Sequence, residues 1–592
     1  MLVLAALLTG FLALPQSARA QNIRPGENAE PAALPPLVVI NFAGADRLLG
    51  DVNYMFKTIG REDLSDVVKG FLANAGDLKG LDRKKSMGVM LYIKPGFPPA
   101  PEPVGFVPVD NIADLLKTIQ LGPVKTKKVP GEENRYEIEG PRQTLHVELQ
   151  GGYAYVSNNA EAFDRELPDP GPLTQSLTNR YDLAASLNIE AVPETMRTIF
   201  LDFLRAQVEA DLQQRDGEPE AGYRARKAAG LNNLEIIEAV IKEGQTITLG
   251  VDASQETKSI VVEFEVKAKP SSSFAKDLNS FPGKPTVFAN IYNESVPMAM
   301  TGSWNLAKSD KEVFSELVKA MEAGVTEGMK NAELDPTPLA GIVKSLDSTV
   351  KNGAIDFFVQ FVGEPPGKFA LVGGLKIDHA GDFASGLQGL IQQLGKLPQI
   401  AEMELNAVTH NGVGLHRVLG KGGDGRGERQ LFGGAPSLYI GAGRGALWFG
   451  VGRDGTADQL KAAMTQVETI PEKPITPDAI APFQMILNLS SWIGLRSRNE
   501  PEDQAERLFG EATRQDETPE QAERRKRRME RFIAEQKAQR QAAKDAFNPD
   551  NDLLRVTARP IKDGFRLKLQ FDEGFIRYLG IRASDRLDRN QL

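Results

Sequence analysis

The chain has 592 residues, no cysteine, and a formal net charge of −9 from 70 basic and 79 acidic side chains. Without cysteine, disulfides, thiol catalysis, iron–sulfur clusters and cysteine-ligated zinc are excluded, so stability must come from buried apolar area. A mild negative charge over so long a chain disfavours nucleic-acid binding, which needs a basic surface, and the length exceeds what one core can hold.

The apolar run Leu2–Leu14 leads through Pro15 and Ser17 to Ala18-Arg19-Ala20. This pattern predicts a signal peptide over 1–20 with cleavage before Gln21, although nothing basic precedes the run. The run is shorter than the ~18 apolar residues a membrane span needs, and no later stretch qualifies, so the mature chain is expected to lack a transmembrane segment. Residues 21–36, rich in Pro, Ala, Glu and Asn, read as a flexible leader.

From Leu37 onward the apolar spacing predicts a strand at 37–42, helices at 46–56 and 64–73, and a hairpin with arms at 87–93 and 105–109. Pro95, Pro98, Pro99, Pro101 and Pro103 lie between the arms and are expected in an exposed loop, since proline cannot donate to a ladder. Asp110 is expected to cap the helix carrying Ile112, Leu115, Leu116 and Ile119. Alternating strands follow at 135–139, 144–149 and 153–156, then a short helix over 160–167 and a strand at 183–189. A helical excursion over 192–241 and a closing hairpin at 245–252 and 259–267 complete a first unit, 37–269. Residues 270–285, with Ser271-Ser272-Ser273, read as a linker.

The second unit, 286–592, retraces this order. A strand at 298–303 precedes helices at 310–329 and 338–346, and Pro365 and Pro366 join a hairpin at 353–362 and 369–377. Asp378 and Asp382 stand where Asp110 and Asp114 stood, ahead of the apolar helix face of Phe383, Leu387 and Ile391. Asn411-Gly412 marks a tight hairpin turn. Strands at 446–451 and 483–489 and a charged arm over 501–547 precede a closing hairpin at 553–558 and 565–571. Leu187-Asn188-Ile189 recurs as Leu487-Asn488-Leu489, and Asp216, Pro219, Glu220 and Arg224 recur as Asp516, Pro519, Glu520 and Arg524, all 300 residues on. The expected fold class is therefore α+β: two tandem repeats, each an antiparallel sheet with helices packed on one face and a projecting charged helical segment. In this layout behind a signal peptide, the chain resembles large uncharacterised exported bacterial proteins of the planctomycete type. The resemblance implies no activity and assigns no functional residues.

No stretch amounts to a catalytic, cofactor-binding or metal-binding signature. His410 and His416 flank the Asn411-Gly412 turn, but a third ligand is lacking; His146 and His379 read as surface positions. Gly420-Lys421-Gly422-Gly423-Asp424-Gly425 matches a dinucleotide fingerprint in letters only, because Arg426-Gly427-Glu428-Arg429 lacks a helical apolar period, and it reads as a loop. The pairs Asp110/Asp114 and Asp378/Asp382 are explained by helix N-termini. In the arm, Thr518 with Gln521 predicts a capping box and Pro519 the first helical position, with Glu520–Arg524 and Glu523–Arg527 as i,i+4 pairs. The arm reads as a solvated helix leaning weakly on its domain, with Arg524, Arg525, Arg527 and Arg528 as the partner-binding candidates. The function expected is a non-enzymatic binding or structural role for an exported, soluble protein in the periplasm or cell envelope. Its partner would be a protein or an envelope polymer, met through the arm or a sheet face. The alternative is a hydrolase of an envelope or extracellular polymer working through carboxylates.

Overall fold

The computed structural model describes residues 35–590 except 75, 95–99, 120–124, 141–142, 284, 365–367, 422–424, 469–480, 497–500 and 510–517. The expected signal, 1–20, and the leader up to residue 34 lie outside the described residues, as do Pro95, Pro98, Pro99, Pro365 and Pro366. Two compact units are present: residues up to 196 with 245–253, and 197–244 with 254 onward. Within the expected first repeat, 37–269, residues 197–244 and 254–269 thus group with the second unit.

The first unit contains β1 (Val38–Phe42), α1 (Ala45–Thr58), α2 (Glu62–Asn74), β2 (Met87–Lys94), β3 (Ala100–Pro108), α3 (Ile112–Ile119), β4 (Lys125–Lys128), β5 (Arg135–Glu139), β6 (Thr144–Gln150), β7 (Tyr153–Ser157), α4 (Pro170–Thr178), β8 (Leu183–Asn188) and β9 (Gly244–Ser254). Its strands pair antiparallel in the order β4-β5-β6-β7-β3-β2-β1-β8-β9. One sheet face is closed. Met90, Tyr92, Val104, Phe106, Tyr153 and Tyr155 are buried there with Phe163, and Val39 and Ala184 pack against Leu177 of α4 and Tyr181.

Two expectations are corrected in this unit. Pro101 and Pro103 belong to β3, opposite Ile93 and Leu91, and not to a loop. The Leu91 carbonyl is taken by the Leu37 N–H on the far side, so the Leu91/Pro103 pair exchanges no bond and the nitrogen without hydrogen faces away from β2. The cap of α3 is Asn111, whose Oδ1 accepts from the Asp114 N–H at 3.2 Å, in place of Asp110.

The second unit opens with most of α5 (Glu194–Asp211) and α6 (Glu220–Glu243). Arg205 grips Glu238 through bonds of 2.5 and 2.7 Å, which hold that carboxyl down at about 2 and pin the two helices side by side. There follow β10 (Ser259–Ala268), α7 (Ser273–Ser280), β11 (Met298–Asn305), α8 (Lys308–Asn331), α9 (Leu339–Asn352), β12 (Ala354–Glu364), β13 (Lys368–Lys376), α10 (Ala380–Leu394), β14 (Ile400–His410), β15 (Val413–Gly420), α11 (Arg426–Phe432), β16 (Ser437–Gly443), β17 (Ala446–Gly452) and α12 (Thr456–Glu468). The chain closes with β18 (Phe483–Asn488), α13 (Leu489–Arg496), α14 (Pro501–Phe509), α15 (Pro519–Ala546), β19 (Leu553–Ile561), β20 (Gly564–Asp572) and α16 (Glu573–Asn590). The antiparallel strand order is β14-β15-β16-β17-β13-β12-β11-β18-β19-β20-β10.

Helices cover both faces of this sheet, not one as expected. Trp448 of β17 packs with Phe288, Phe358, Leu460 and Met464 on the α12 side. Its neighbour Leu447, pointing the other way, packs with Ile342, Phe383 and Leu387 of α9 and α10. The expected linker, 270–285, holds α7, whose Phe274 and Ala275 are buried with Ala268. Asp378 does not cap α10 either: His379 takes the N-cap position at φ 51°, while the Asp378 carboxylate accepts from Asn352 and Ser348 of α9. The expected turn is present, with Asn411 at φ 51° and Gly412 at φ 79°, the left-handed pair that a two-residue hairpin requires.

Candidate functional site

The arm is built as its residues dictate. Thr518 Oγ1 accepts from the Gln521 N–H and Gln521 Oε1 accepts from the Thr518 N–H, closing a reciprocal cap. Behind it α15 runs for 28 residues, a rise of about 42 Å. The helix carries nine basic and five acidic residues, a net charge of +4 within a chain of −9. Arg524 pairs with Glu520 and Arg527 with Glu523, each at 2.6 Å and each pair exposed. Arg528 is exposed, and Arg525 donates to the Phe509 carbonyl at 2.9 Å. Three of the four candidate arginines therefore face solvent, while Arg525 ties α15 to α14. The two helices also share a Phe509–Phe532 edge contact and a Lys537–Glu502 ion pair of 2.5 Å.

The arm's far end is not loosely held. Ala542 and Ala546 are buried, and Phe547 stacks on Tyr578 of α16 at 5.9 Å. The expectation of a helix leaning weakly along its whole length is corrected for this last third. Alanines at core positions give little apolar signal, so the sequence periodicity did not show the contact.

The first unit offers a second surface. On β1, Val39 and Asn41 are buried, whereas Ile40 and Phe42 are 38% and 39% exposed. Leu183, opposite Phe42 on β8, is 40% exposed. Val89 and Leu91 on β2, and Ala185 and Leu249 beyond, continue this open face half-buried. An apolar patch lies at the centre of the sheet on this face, beside the buried cluster of Ile138, Val147 and Ala154 over β5, β6 and β7, while the reverse face is closed. Sequence reasoning missed these residues: Leu37–Phe42 is apolar on both faces but for Asn41, which ordinarily marks a strand covered on both sides.

The other candidates are kept apart by the fold. His410 Nε2 meets Thr465 Oγ1 of α12 at 2.8 Å, whereas His416 is buried and its Nδ1 accepts from the Asn406 N–H at 3.1 Å. Burial lowers the His416 pKa. His146 is half-buried, 3.7 Å from Glu137, and His379 is exposed. Among the described residues no group of three or more His, Asp or Glu is placed to hold a metal. Burial raises two carboxyls, Asp356 and Asp552. Asp356 accepts from Thr286 Oγ1 and the Val287 N–H, and Asp552 from the Ser490 N–H. They lie on different strands, Asp356 on β12 across from Ser303 of β11 and Asp552 just ahead of β19, beside the strand pair that ends at Asn488. Residues 422–424 of the Gly420–Gly425 segment lie outside the described residues; Arg426–Phe432 beyond it forms α11, a helix where none was expected. Both neighbours of β15 are antiparallel, so the parallel crossover of a dinucleotide site is not formed there.

No family model, curated protein or solved structure matches the chain. Among the described residues no helix is long and apolar enough to cross a membrane.

Proposed function

We propose that this chain is an exported binding or structural protein of the periplasm or cell envelope, non-enzymatic and assembled from two tandem copies of one α+β unit. The repeat is supported by strand order: adding ten to each label in β4-β5-β6-β7-β3-β2-β1-β8-β9 reproduces β14-β15-β16-β17-β13-β12-β11-β18-β19. Asn188 and Asn488 add to it. Each donates its N–H to the carbonyl of the residue just ahead of β1 or β11, Leu37 or Pro297, and the Oδ1 of each accepts a backbone N–H two or three residues on, from Glu190 or Ser491.

The observation that carries the binding role is the open apolar face of Ile40, Phe42 and Leu183. A contiguous apolar patch in mid-sheet gains nothing from water and marks a surface kept for contact. The arm, with Arg524, Arg527 and Arg528 exposed, is the second contact element of this reading. The test is a triple change of Ile40, Phe42 and Leu183 to serine in the full chain. Uptake of anilinonaphthalene sulfonate by the folded protein should fall sharply, with the melting temperature within a few degrees of the parent. A protein that no longer folds would show that these side chains belong to a core, and the binding reading would fail.

A further inference from the structure

We propose that the amino-terminal half of α15, together with the end of α14, docks on the headgroups of an anionic phospholipid bilayer. This deepens the reading of the arm as a contact element and rests on it. Arg524, Arg528 and Arg531 follow one another at four and three residues, and Arg527 lies one turn from two of them, so four exposed guanidinium groups share one helix face. They span about 10 Å along the axis. Residues 519–531 hold six bases against three acids, and the partners Glu520 and Glu523 sit in exposed pairs, which bind weakly and yield readily to phosphate oxygens.

Charge complementarity favours a lipid surface over an acidic protein. Between Glu520 and Arg531 this face carries no large apolar side chain, and so lacks the central anchor that gives protein interfaces their affinity. A headgroup layer needs only the charge. An aliphatic side chain is exposed at the end of α14: Leu508 is 67% exposed, next to Phe509, whose carbonyl accepts from Arg525, the sequence neighbour of Arg524. A basic face with a neighbouring exposed leucine suits the boundary between headgroups and acyl chains. The chain as a whole, at −9, is repelled by an anionic surface, so the +4 helix sets the orientation of approach.

The test is cosedimentation of the full chain with vesicles of phosphatidylglycerol and phosphatidylcholine in equal parts, and with phosphatidylcholine alone. Binding is expected to the first only and should vanish at about 0.5 M salt, where screening confines charge effects to a few ångströms. Changing Arg524, Arg527, Arg528 and Arg531 together to Gln should cut partition on the order of a hundredfold or more, at roughly fivefold per arginine. Changing the same four to Lys should leave it within about threefold, since a headgroup layer reads charge and not guanidinium geometry. Leu508→Ser should lower binding about fivefold. No binding to the anionic vesicles, binding indifferent to the Gln changes, or loss in the Lys variant would each overturn the proposal. If the Gln variant instead loses a soluble acidic partner while neither protein binds vesicles, the lipid surface is wrong and the arm remains a contact element. If no interaction depends on these arginines, both readings fall. Circular dichroism and melting of each variant confirm folding, and the salt and Lys arms decide the matter even should the Gln variant fail to fold.

Discussion

His416 is a residue whose burial makes stability depend on pH. Its Nδ1 accepts a hydrogen bond from the Asn406 N–H, so a protonated ring would set two donors against each other inside the sheet. The folded pKa is lowered by burial from its ordinary 6.5, which means the unfolded chain binds the proton first. Stability from this group is therefore complete above about pH 6.5 and falls as the pH drops through 6.5 toward the lower folded value. Urea midpoints measured between pH 7.5 and 5 should decline for the parent and flatten over that window in His416→Gln. An unchanged slope in the variant would remove His416 as the source. Its burial could not be read from sequence: His416 and its neighbour Leu415 point to opposite faces of β15 and both are buried, and that both faces are covered there depends on partners distant in the chain. Pro101 and Pro103 make a related point. Proline is barred only from positions whose N–H must bond across the ladder, and the register that spares these two is set by Leu37 pairing on the other side of Leu91.

At the scale of elements, α9 and α10 approach closely because two glycines allow it. A Cβ on Gly341 would come within 2.4 Å of the Asp382 carbonyl oxygen, and one on Gly386 within 2.5 Å of the Pro338 oxygen. Gly341→Ala must push the helices apart and should cost about 1–3 kcal/mol in denaturant unfolding. Gly324, exposed on α8, has nothing within 4 Å; there the same change should stabilise by up to about 1 kcal/mol through helix propensity alone. Equal effects at the two sites would show that the close crossing is not what holds Gly341. The arm illustrates how much of an element is local. Its cap, first residue and ion pairs were all legible, since each involves neighbours within four positions. The burial of Ala542 and Ala546 was not, because it depends on α16, a helix that sequence periodicity did not bring out.

For the whole molecule, the export reading is tested at the amino terminus. Mass spectrometry of the native protein should find Gln21 first; a chain retaining residues 2–20 in a cytoplasmic fraction would refute it. The open apolar face belongs to this scale as well. Ile40, Phe42 and Leu183 come from strands about 140 residues apart in sequence, so a single polar substitution changes a surface to which several strands contribute. The triple serine variant and the arm variants act on different elements, and their effects on contact should be separable and roughly additive.

By itself the sequence determined the α+β class, the antiparallel hairpins, the Asn411-Gly412 turn, the reciprocal cap of the arm and the order of most elements. Alternation, turn chemistry and capping act within a few residues and are written in adjacent letters. The tertiary structure alone decided where the first sheet is left open, that helices flank both faces of the second, that 270–285 holds a packed helix, and that the histidines and buried carboxylates stay apart. Each of these is a choice between side-chain faces that look alike in sequence. It is settled by which distant strand or helix arrives to exclude water, a matter of non-local packing that local spacing does not encode.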